Sequence, residues 1–594
     1  MINKQTFKKN FFYFNFFYDY LGLRLFIDVF LSIILGLLDG LGIAMFIPLI
    51  QLSLGIESGV EVNNYLDRFL NFISIELSLK NVFFLILIIF SLKGILRFME
   101  ITYRVYLQQF FMRKLRFEHL DLFNTYDYQK FSVADTGRIQ NSFTGEINRI
   151  NGAYKQYFKS LHYFALVVVY VLLAIRTAWI FSLLVLLGGL LMNFVFSYIY
   201  KRTKYFSKKY TQESHHFQGL LMQAINHFQY LKATGLNRTF GKRIKDRVKI
   251  LEKYQKKLGI SEAILSGLRE PLIIIIVFGA IFTFIHFSER PVATIMLSLI
   301  LLYRAITFFM AMQEQWNFFL GNSGSISNII HFRKELKNNQ ESSGDIVFKS
   351  FDDKIELKAV SFSYEKKRPV LKDIDLVISK NEIVAIVGES GAGKTTLMNI
   401  LSGIITPDSG RFIVDGEPMK NLDLISFRKK TGYIVQDPVI FNDSVFNNIS
   451  FWKEKNNASL DRFWKAAEKA AIDSYIKSLP YKEETLLGYN GINISGGQKQ
   501  RFSIARELFK ETEILFMDEA TSSLDSETEN EIQNNLISLK GKYTMIIIAH
   551  RLSTVKFADK IIVLKDGRIE SSGTYAELMS KSKEFQRMVR YQSL

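Results

Sequence analysis

Six apolar stretches between residues 20 and 320 constrain this chain more than any other feature. Each is long enough to cross a bilayer as a helix, which takes about 20 residues. In hydrocarbon every backbone N–H and C=O must find its partner inside the segment, so a helix is the expected form. The stretches fall near 24–53, 80–103, 158–176, 178–200, 270–287 and 292–318. Only Arg176-Thr-Ala separates the third from the fourth. Together they are too long for one crossing, so a tight hairpin is predicted.

The connecting segments set the orientation. Residues 54–79 carry Glu57, Glu61, Asp67 and Glu76 against Arg68, whereas 104–157 and 201–269 are long and rich in Lys and Arg. Basic loops stay in the cytoplasm, which puts both termini there. The two long segments hold few Gly or Pro and keep a helical period, as in Leu220-Leu-Met-Gln-Ala-Ile-Asn-His-Phe-Gln-Tyr-Leu231. They predict membrane helices running on into the cytosol, joined by short transverse helices near 124–132 and 214–226. At the N-terminus, Lys8-Lys9 leads into Phe11-Phe-Tyr-Phe-Asn-Phe-Phe-Tyr18, which predicts a helix at the membrane interface. The formal charge of +18 belongs to the segments flanking apolar runs and does not call for nucleic acid. With no cysteine, disulfides, zinc–thiolate sites and thiol catalysis are excluded.

Past a polar stretch at 335–350, read as a linker, the pattern changes to short apolar runs alternating with helical ones. Ile383-Val-Ala-Ile-Val, Ile514-Leu-Phe-Met and Thr544-Met-Ile-Ile-Ile-Ala predict buried parallel strands of an α/β core. Three motifs sit on that core. Gly388-Glu-Ser390-Gly391-Ala-Gly393-Lys394-Thr395-Thr396 follows a strand and opens a helix, the context of a phosphate-binding loop. Its glycines let backbone N–H groups wrap phosphates at a helix N-terminus, Lys394 reaches the β- and γ-phosphates, and Thr395 ligates Mg²⁺. In Ile514-Leu-Phe-Met-Asp518-Glu519 an apolar strand ends in two acids, Asp518 for the Mg²⁺ shell and Glu519 to polarise the attacking water. In Ile494-Ser495-Gly496-Gly497-Gln498-Lys-Gln-Arg501, Ser-Gly-Gly precedes a helix expected from Lys499 to Phe509, a second anion-binding helix start. One chain cannot easily bring both helix starts to one nucleotide, whereas two chains facing head to tail can.

These residues resemble the ATP-binding cassette of ABC transporters, over roughly 351–594. The resemblance implies roles for further residues. Tyr364 matches the aromatic that stacks on adenine, and Gln436 the glutamine that contacts Mg²⁺ and the membrane domain. Asp525, in Ser523-Leu-Asp525, matches the loop that crosses to the partner, and His550 the histidine that senses the γ-phosphate. Ile494 and Ser523 replace the usual leucine and alanine. Tyr489 and Asn490 replace the charged pair of the Gly-Glu-Arg-Gly-type loop at Gly488–Gly491, which leaves the coupling contact of that loop open. The first half resembles the six-helix type IV exporter fold, through Tyr126-Asp-Tyr-Gln-Lys-Phe and Thr136-Gly-Arg-Ile-Gln-Asn-Ser-Phe-Thr-Gly-Glu-Ile147. Among exporters the chain looks most similar to bacterial flippases of lipid-linked oligosaccharides, then to the lipid A flippase.

The expectation is therefore a multi-domain chain: a six-helix all-α transmembrane domain (1–334), a linker (335–350) and an α/β P-loop ATPase domain (351–594). Both active sites would be complete in a homodimer, and a heterodimer with a similar half-transporter is the alternative. Within the spans, Lys93, Arg97, Arg304 and Asp39 are costly and ask for a role. At 1.5 Å per residue, Lys93 and Arg304 lie roughly 18–20 Å from the outer ends of their helices. Three readings fit: a cavity that binds an anionic head group, an Asp39–Lys93 pair that locks two helices, or long side chains that snorkel to the interface. The function expected is an ATP-hydrolysing exporter or flippase in the inner membrane, for an amphipathic, anionic lipid or lipid-linked glycan. Peptide or multidrug export, an ATP-gated channel or regulator, and an importer on the same fold are the alternatives.

Overall fold

The computed structural model describes residues 4–46, 49, 78–177, 179–287, 296–364, 369–518, 534, 537–549 and 551–592. The chain divides into two units, Met1–Tyr126 with Val133–Gln340, and Asp127–Ser132 with Glu341–Leu594. The acidic segment near 54–77 and the turn near Glu289-Arg-Pro291 lie outside the described residues.

The first unit is helical. Its elements are α1 (Lys4–Leu21), α2 (Arg24–Ala44), α3 (Leu79–Asn124), the short α4 (Thr136–Asn141) with a π-turn over Ser142–Glu146, α5 (Ile147–Thr177), α6 (Trp179–Asn226), α7 (Phe228–Ala233), α8 (Asn237–Phe287) and α9 (Met296–Asn338). Among the described residues, Arg24–Ile43, Leu79–Asn124, Thr136–Arg176 and Asn237–Thr283 meet the length and hydropathy of a bilayer crossing. Ser78 starts α3 by accepting from the Asn81 N–H at 3.2 Å, filling one of the donors a helix start leaves open. The 46 residues of α3 run about 69 Å, over twice a hydrocarbon core of about 30 Å, so the helix continues far beyond the membrane.

Two expectations shift. Residues 214–226 stay inside α6, and the break falls at His227, with φ −110° and ψ 25°, so the separate short helix is Phe228–Ala233. The aromatics of α1 are not all at an interface. Tyr13, Phe16, Phe17 and Tyr20, at i, i+3, i+4 and i+7, make one helical stripe, and all four are buried. Phe17 meets Phe111 of α3 and Tyr154 and Phe158 of α5 at ring-centroid distances of 5.4, 5.7 and 5.5 Å. Tyr13 meets Phe319 of α9 at 4.8 Å. Protein neighbours offer these rings closer packing than lipid head groups do, which leaves Phe12 and Tyr18 on the exposed face.

The second unit is an α/β domain with two sheets. The four-stranded antiparallel one runs β2 (Leu371–Ser379), β1 (Lys354–Phe362), β4 (Ser409–Val414), β5 (Glu417–Pro418). The six-stranded one runs β10 (Arg568–Gly573), β9 (Lys560–Lys565), β3 (Ile383–Gly388), β8 (Thr544–Ile548), β7 (Ile514–Asp518), β6 (Thr431–Ile434). Apart from the β10 edge it is parallel. Its central strands are buried on both faces, the physical reason for their unbroken apolar runs.

The stretch read as a linker is more ordered than a tether. Helix α9 continues to Asn338. Beyond it, the Gly344 N–H donates to Leu422 O at 2.9 Å and the Asp423 N–H to Ile346 O at 2.7 Å. A Cβ on Gly344 would stand 2.0 Å from the Asn421 backbone, so no larger residue fits this approach. Arg428 clasps Glu341, with one bond of 2.8 Å. The residues following the helical unit are thus stitched into the α/β domain.

Candidate nucleotide-binding site

Strand β3 delivers the loop Gly388–Gly393 to the start of helix α10 (Lys394–Leu401). Gly393 takes φ +104°, where a side chain would be strained. A Cβ at Gly388 would stand 2.3 Å from Leu564 O of β9, so the loop can lie flat on the sheet only with glycine there. Lys394 is buried, and its Nζ donates to Gly388 O at 2.9 Å and Glu389 O at 3.1 Å, which holds the ammonium over the concave side of the loop. Ser390, Gly391 and Thr395 are exposed, and Thr396 is buried. The first-turn N–H groups of α10 have no partner within the helix and are available to anionic oxygens.

Two strands away, β7 ends at Asp518, and Thr395 Oγ1 stands 3.4 Å from Asp518 Oδ2. Two of the three residues assigned from sequence to Mg²⁺ are therefore neighbours, and their donors are hard oxygens. Gln436 lies just past β6 and is exposed. Tyr364 is 43% exposed, its ring edge-on to Phe362 at 4.9 Å and its hydroxyl 3.4 Å from Thr396 Oγ1. An accessible ring this close to the phosphate loop can receive a base. Tyr433 donates to Asn399 Oδ1 of α10 at 2.8 Å, and burial, reinforced by the Asp518 carboxylate, pushes its phenol up from the ordinary range.

The second motif opens helix α11 (Gly496–Phe509), three residues earlier than expected. Ser495 is its N-cap: the hydroxyl accepts from the Gln498 N–H at 3.3 Å, and Gln498 Oε1 accepts from the Ser495 N–H at 2.9 Å. This capping box fixes where the helix begins and how Gly496 and Gly497 are presented. Helix α10 packs in the hydrophobic cluster that contains β1 and β2, and α11 packs in another, with Phe446, Phe463 and Ile472. The two helix starts thus belong to different lobes of the domain. Glu519, Ser523, Asp525 and His550 lie outside the described residues.

Family models for the ABC transporter and for the ABC transporter transmembrane region match residues 371–522 and 25–312. The heterocyst differentiation ATP-binding protein HepA of Nostoc sp. is 30% identical over 76% of this chain and 74% of its own. The chain belongs to the ABC transporter family. The ATP-dependent lipid A-core flippase of Legionella pneumophila (strain Paris) is 32% identical to the transporter over 70% of each chain. The fold matches that of a bacterial Atm1-family ABC exporter solved with ATP bound, at a TM-score of 0.80 and 22% identity over 96% of this chain and 98% of that one. The transporter is thus a multi-pass membrane protein whose cassette binds ATP and couples its hydrolysis to export, and its half-transporter fold implies a dimer.

In the membrane half of the transporter, Lys93 pairs with Asp39, and Tyr170 donates to the second Asp39 oxygen at 2.6 Å. Lys93 thus has Asp39 on α2 as a counter-charge within reach, the partner that the pairing reading named. Arg97 and Arg304 are exposed and make no hydrogen bond or ion pair among the described residues. The atypical loop turns through left-handed backbone at Gly488, Asn490 and Gly491, and Lys499 Nζ ties the Asn490 carbonyl to α11 at 2.7 Å. Tyr489 projects from it, 74% exposed.

Sequence reasoning missed the supports. Arg506 on α11 is buried and donates to Asn448 O at 2.6 Å, Val439 O at 2.9 Å and Asn448 Oδ1 at 3.2 Å. Arg587, on the C-terminal helix Lys583–Gln592, pairs with Glu389 inside the phosphate loop. Nothing in spacing marks either residue: Arg506 is an ordinary charge until the fold buries it, and Arg587 stays exposed and is set apart only by its partner in the loop.

Proposed function

We propose that the transporter works as a homodimer that moves an amphipathic, anionic lipid or lipid-linked glycan out of the cytoplasmic leaflet of the inner membrane by alternating access. The observation that carries this reading is the exposed Arg97 on α3, a helix long and apolar enough to cross a membrane, together with the exposed Arg304 on α9, neither making an ion pair among the described residues. A charge kept in such surroundings calls for an anionic partner. The relative named as a lipid A-core flippase supports the same class of cargo.

In the cassette, Lys394 and the N–H groups at the start of α10 hold the β- and γ-phosphates, and Tyr364 receives the adenine. Thr395, Asp518 and Gln436 would hold Mg²⁺, which neutralises charge on the phosphate oxygens. Glu519 orients and deprotonates the attacking water, and His550 contacts the γ-phosphate. Ser495, Gly496, Gly497 and Gln498 of one chain close over the nucleotide of the other, with Asp525 at the junction. ATP closes the two cassettes and hydrolysis reopens them.

The test is reconstitution in liposomes with labelled lipid-linked glycan, drug and peptide in parallel. Wild type should move the glycan with ATP, and Glu519→Gln and Lys394→Ala should not. Arg304→Ala should slow glycan movement about tenfold or more while ATP hydrolysis continues, as loss of one charge-assisted contact implies. Movement of only the drug or the peptide would replace this cargo.

A further inference from the structure

The phosphate loop carries a charge that its task does not call for. Glu389 stands between Gly388 and Ser390, and its main-chain carbonyl accepts from Lys394 Nζ at 3.1 Å. A carboxylate on that residue repels the phosphates that Lys394 attracts. Its side chain is exposed and pairs with Arg587 of the helix Lys583–Gln592. An exposed ion pair adds little to the stability of a fold. Beside a phosphate site the same pair acts on a different quantity, the affinity for the anion.

Packing and a second ion pair hold Arg587 in place. Phe585 is buried, and Met588 and Val589 pack beside it in the cluster that contains Val387 of β3 and Ala549. Glu584 is buried as well, accepts from Lys565 Nζ of β9 at 3.0 Å and stands 3.5 Å from the Arg587 guanidinium. Lys565, Glu584, Arg587 and Glu389 thus alternate in sign from the end of β9 to the phosphate loop. Val387, Gly388 and Glu389 line a cavity of about 80 Å³ together with Phe585, Met588 and Val589. Packing between loop and helix is therefore incomplete, and the Arg587–Glu389 pair adds a directed tie.

We propose that Arg587 is a positioning residue for the ATPase reaction: it neutralises Glu389 and thereby sets how tightly the phosphate loop holds ATP. The proposal rests on the reading of Lys394 and the start of α10 as the phosphate site. ATP brings several negative charges to this loop. With Arg587 in place they meet a neutral pair, and without it they meet a carboxylate on the residue that also anchors Lys394. Glu389 bears its charge before the chemical step as well as during it, so the loss falls on binding rather than on turnover.

The experiment measures binding of radiolabelled ATP without Mg²⁺, and KM and kcat with it, on the full-length transporter in lipid nanodiscs. Arg587→Ala should weaken binding about three- to tenfold, with KM rising in step and kcat changing by less than about twofold. High salt should shrink the difference, since the pair is exposed. Adding Glu389→Gln to Arg587→Ala should recover most of the affinity, because the charge that Arg587 covers is then gone. Arg587→Lys keeps a cation and should bind better than Arg587→Gln, which does not; this comparison decides should Arg587→Ala melt early. Wild-type affinity in Arg587→Ala, or a loss that Glu389→Gln does not relieve, would overturn the proposal and leave the phosphate site standing. Wild-type binding by Lys394→Ala would instead remove the phosphate-site reading, and the proposal with it.

Discussion

Replacing Arg506 by methionine tests whether the start of α11 is held by its underside. The guanidinium makes three bonds, at 2.6, 2.9 and 3.2 Å, and lies 5.4 Å from the ring centres of both Phe441 and Phe451. Burial lowers its affinity for a proton, with Glu507 opposing, yet an arginine starts so high that it stays charged. A hydrogen bond to a charged group contributes about 1.5–3 kcal/mol, and bonds to one group are not additive. Methionine fills the volume but leaves the Asn448 and Val439 carbonyls without this donor, so the loss should be about 3–5 kcal/mol. At about 2–4 °C per kcal/mol for a unit of this size, the cassette transition should fall by roughly 10 °C. The assay is the melting of the full-length transporter in nanodiscs together with its ATPase rate. Since Arg506 lies on the helix that Ser495 caps, kcat should drop more than KM for ATP rises. Arg506→Lys keeps the charge but not the fork, and should fall between. Unchanged melting and kcat in Arg506→Met would refute the idea that this buried fork sets the helix.

Two further outcomes follow from the cytoplasmic end of the helical unit. Phe17→Ala empties a fully buried ring site between α3 and α5 and should cost about 3–5 kcal/mol, read as earlier unfolding in denaturant, whereas Phe12→Ala on the exposed face should change little. Arg138 donates two bonds, of 2.7 and 2.6 Å, to Glu335, and these hold its carboxyl below the usual range despite partial burial. A depressed carboxyl stabilises the fold above its unfolded value of about 4.3, and that stabilisation fades as pH falls through the folded one. Arg138→Met should therefore melt earlier than wild type near neutral pH, with the gap closing in acid. A gap independent of pH would show that the pair acts by packing alone.

Local pattern explains which parts were readable. The phosphate loop was legible because a strand, a Gly-rich turn and Lys394-Thr395 stand together in sequence, and backbone geometry at Gly388 and Gly393 demands those residues locally. The long cytosolic helices were legible from their period, but the break at His227 was not: residues 214–226 carry the same helical pattern as the stretch before them, so pattern cannot say where the helix ends. The stripe at Tyr13, Phe16, Phe17 and Tyr20 was visible as aromatic, yet lipid and protein satisfy an aromatic ring in similar ways, and only the rings of Phe111, Tyr154 and Phe319 settled which face was buried.

By itself the sequence determined that apolar helices join an ATP-binding cassette, since hydropathy, strand runs and phosphate-loop chemistry depend on residues close together in the chain. Tertiary structure decided which polar side chains meet: Lys93 with Asp39, which the sequence offered only as one reading among others, Arg138 with Glu335, and His162 with Glu100 and Ser32. A charge acts through space over a few ångströms, and in these pairs the partner is 54, 197, 62 and 130 residues away along the chain, respectively, a separation that no local pattern encodes.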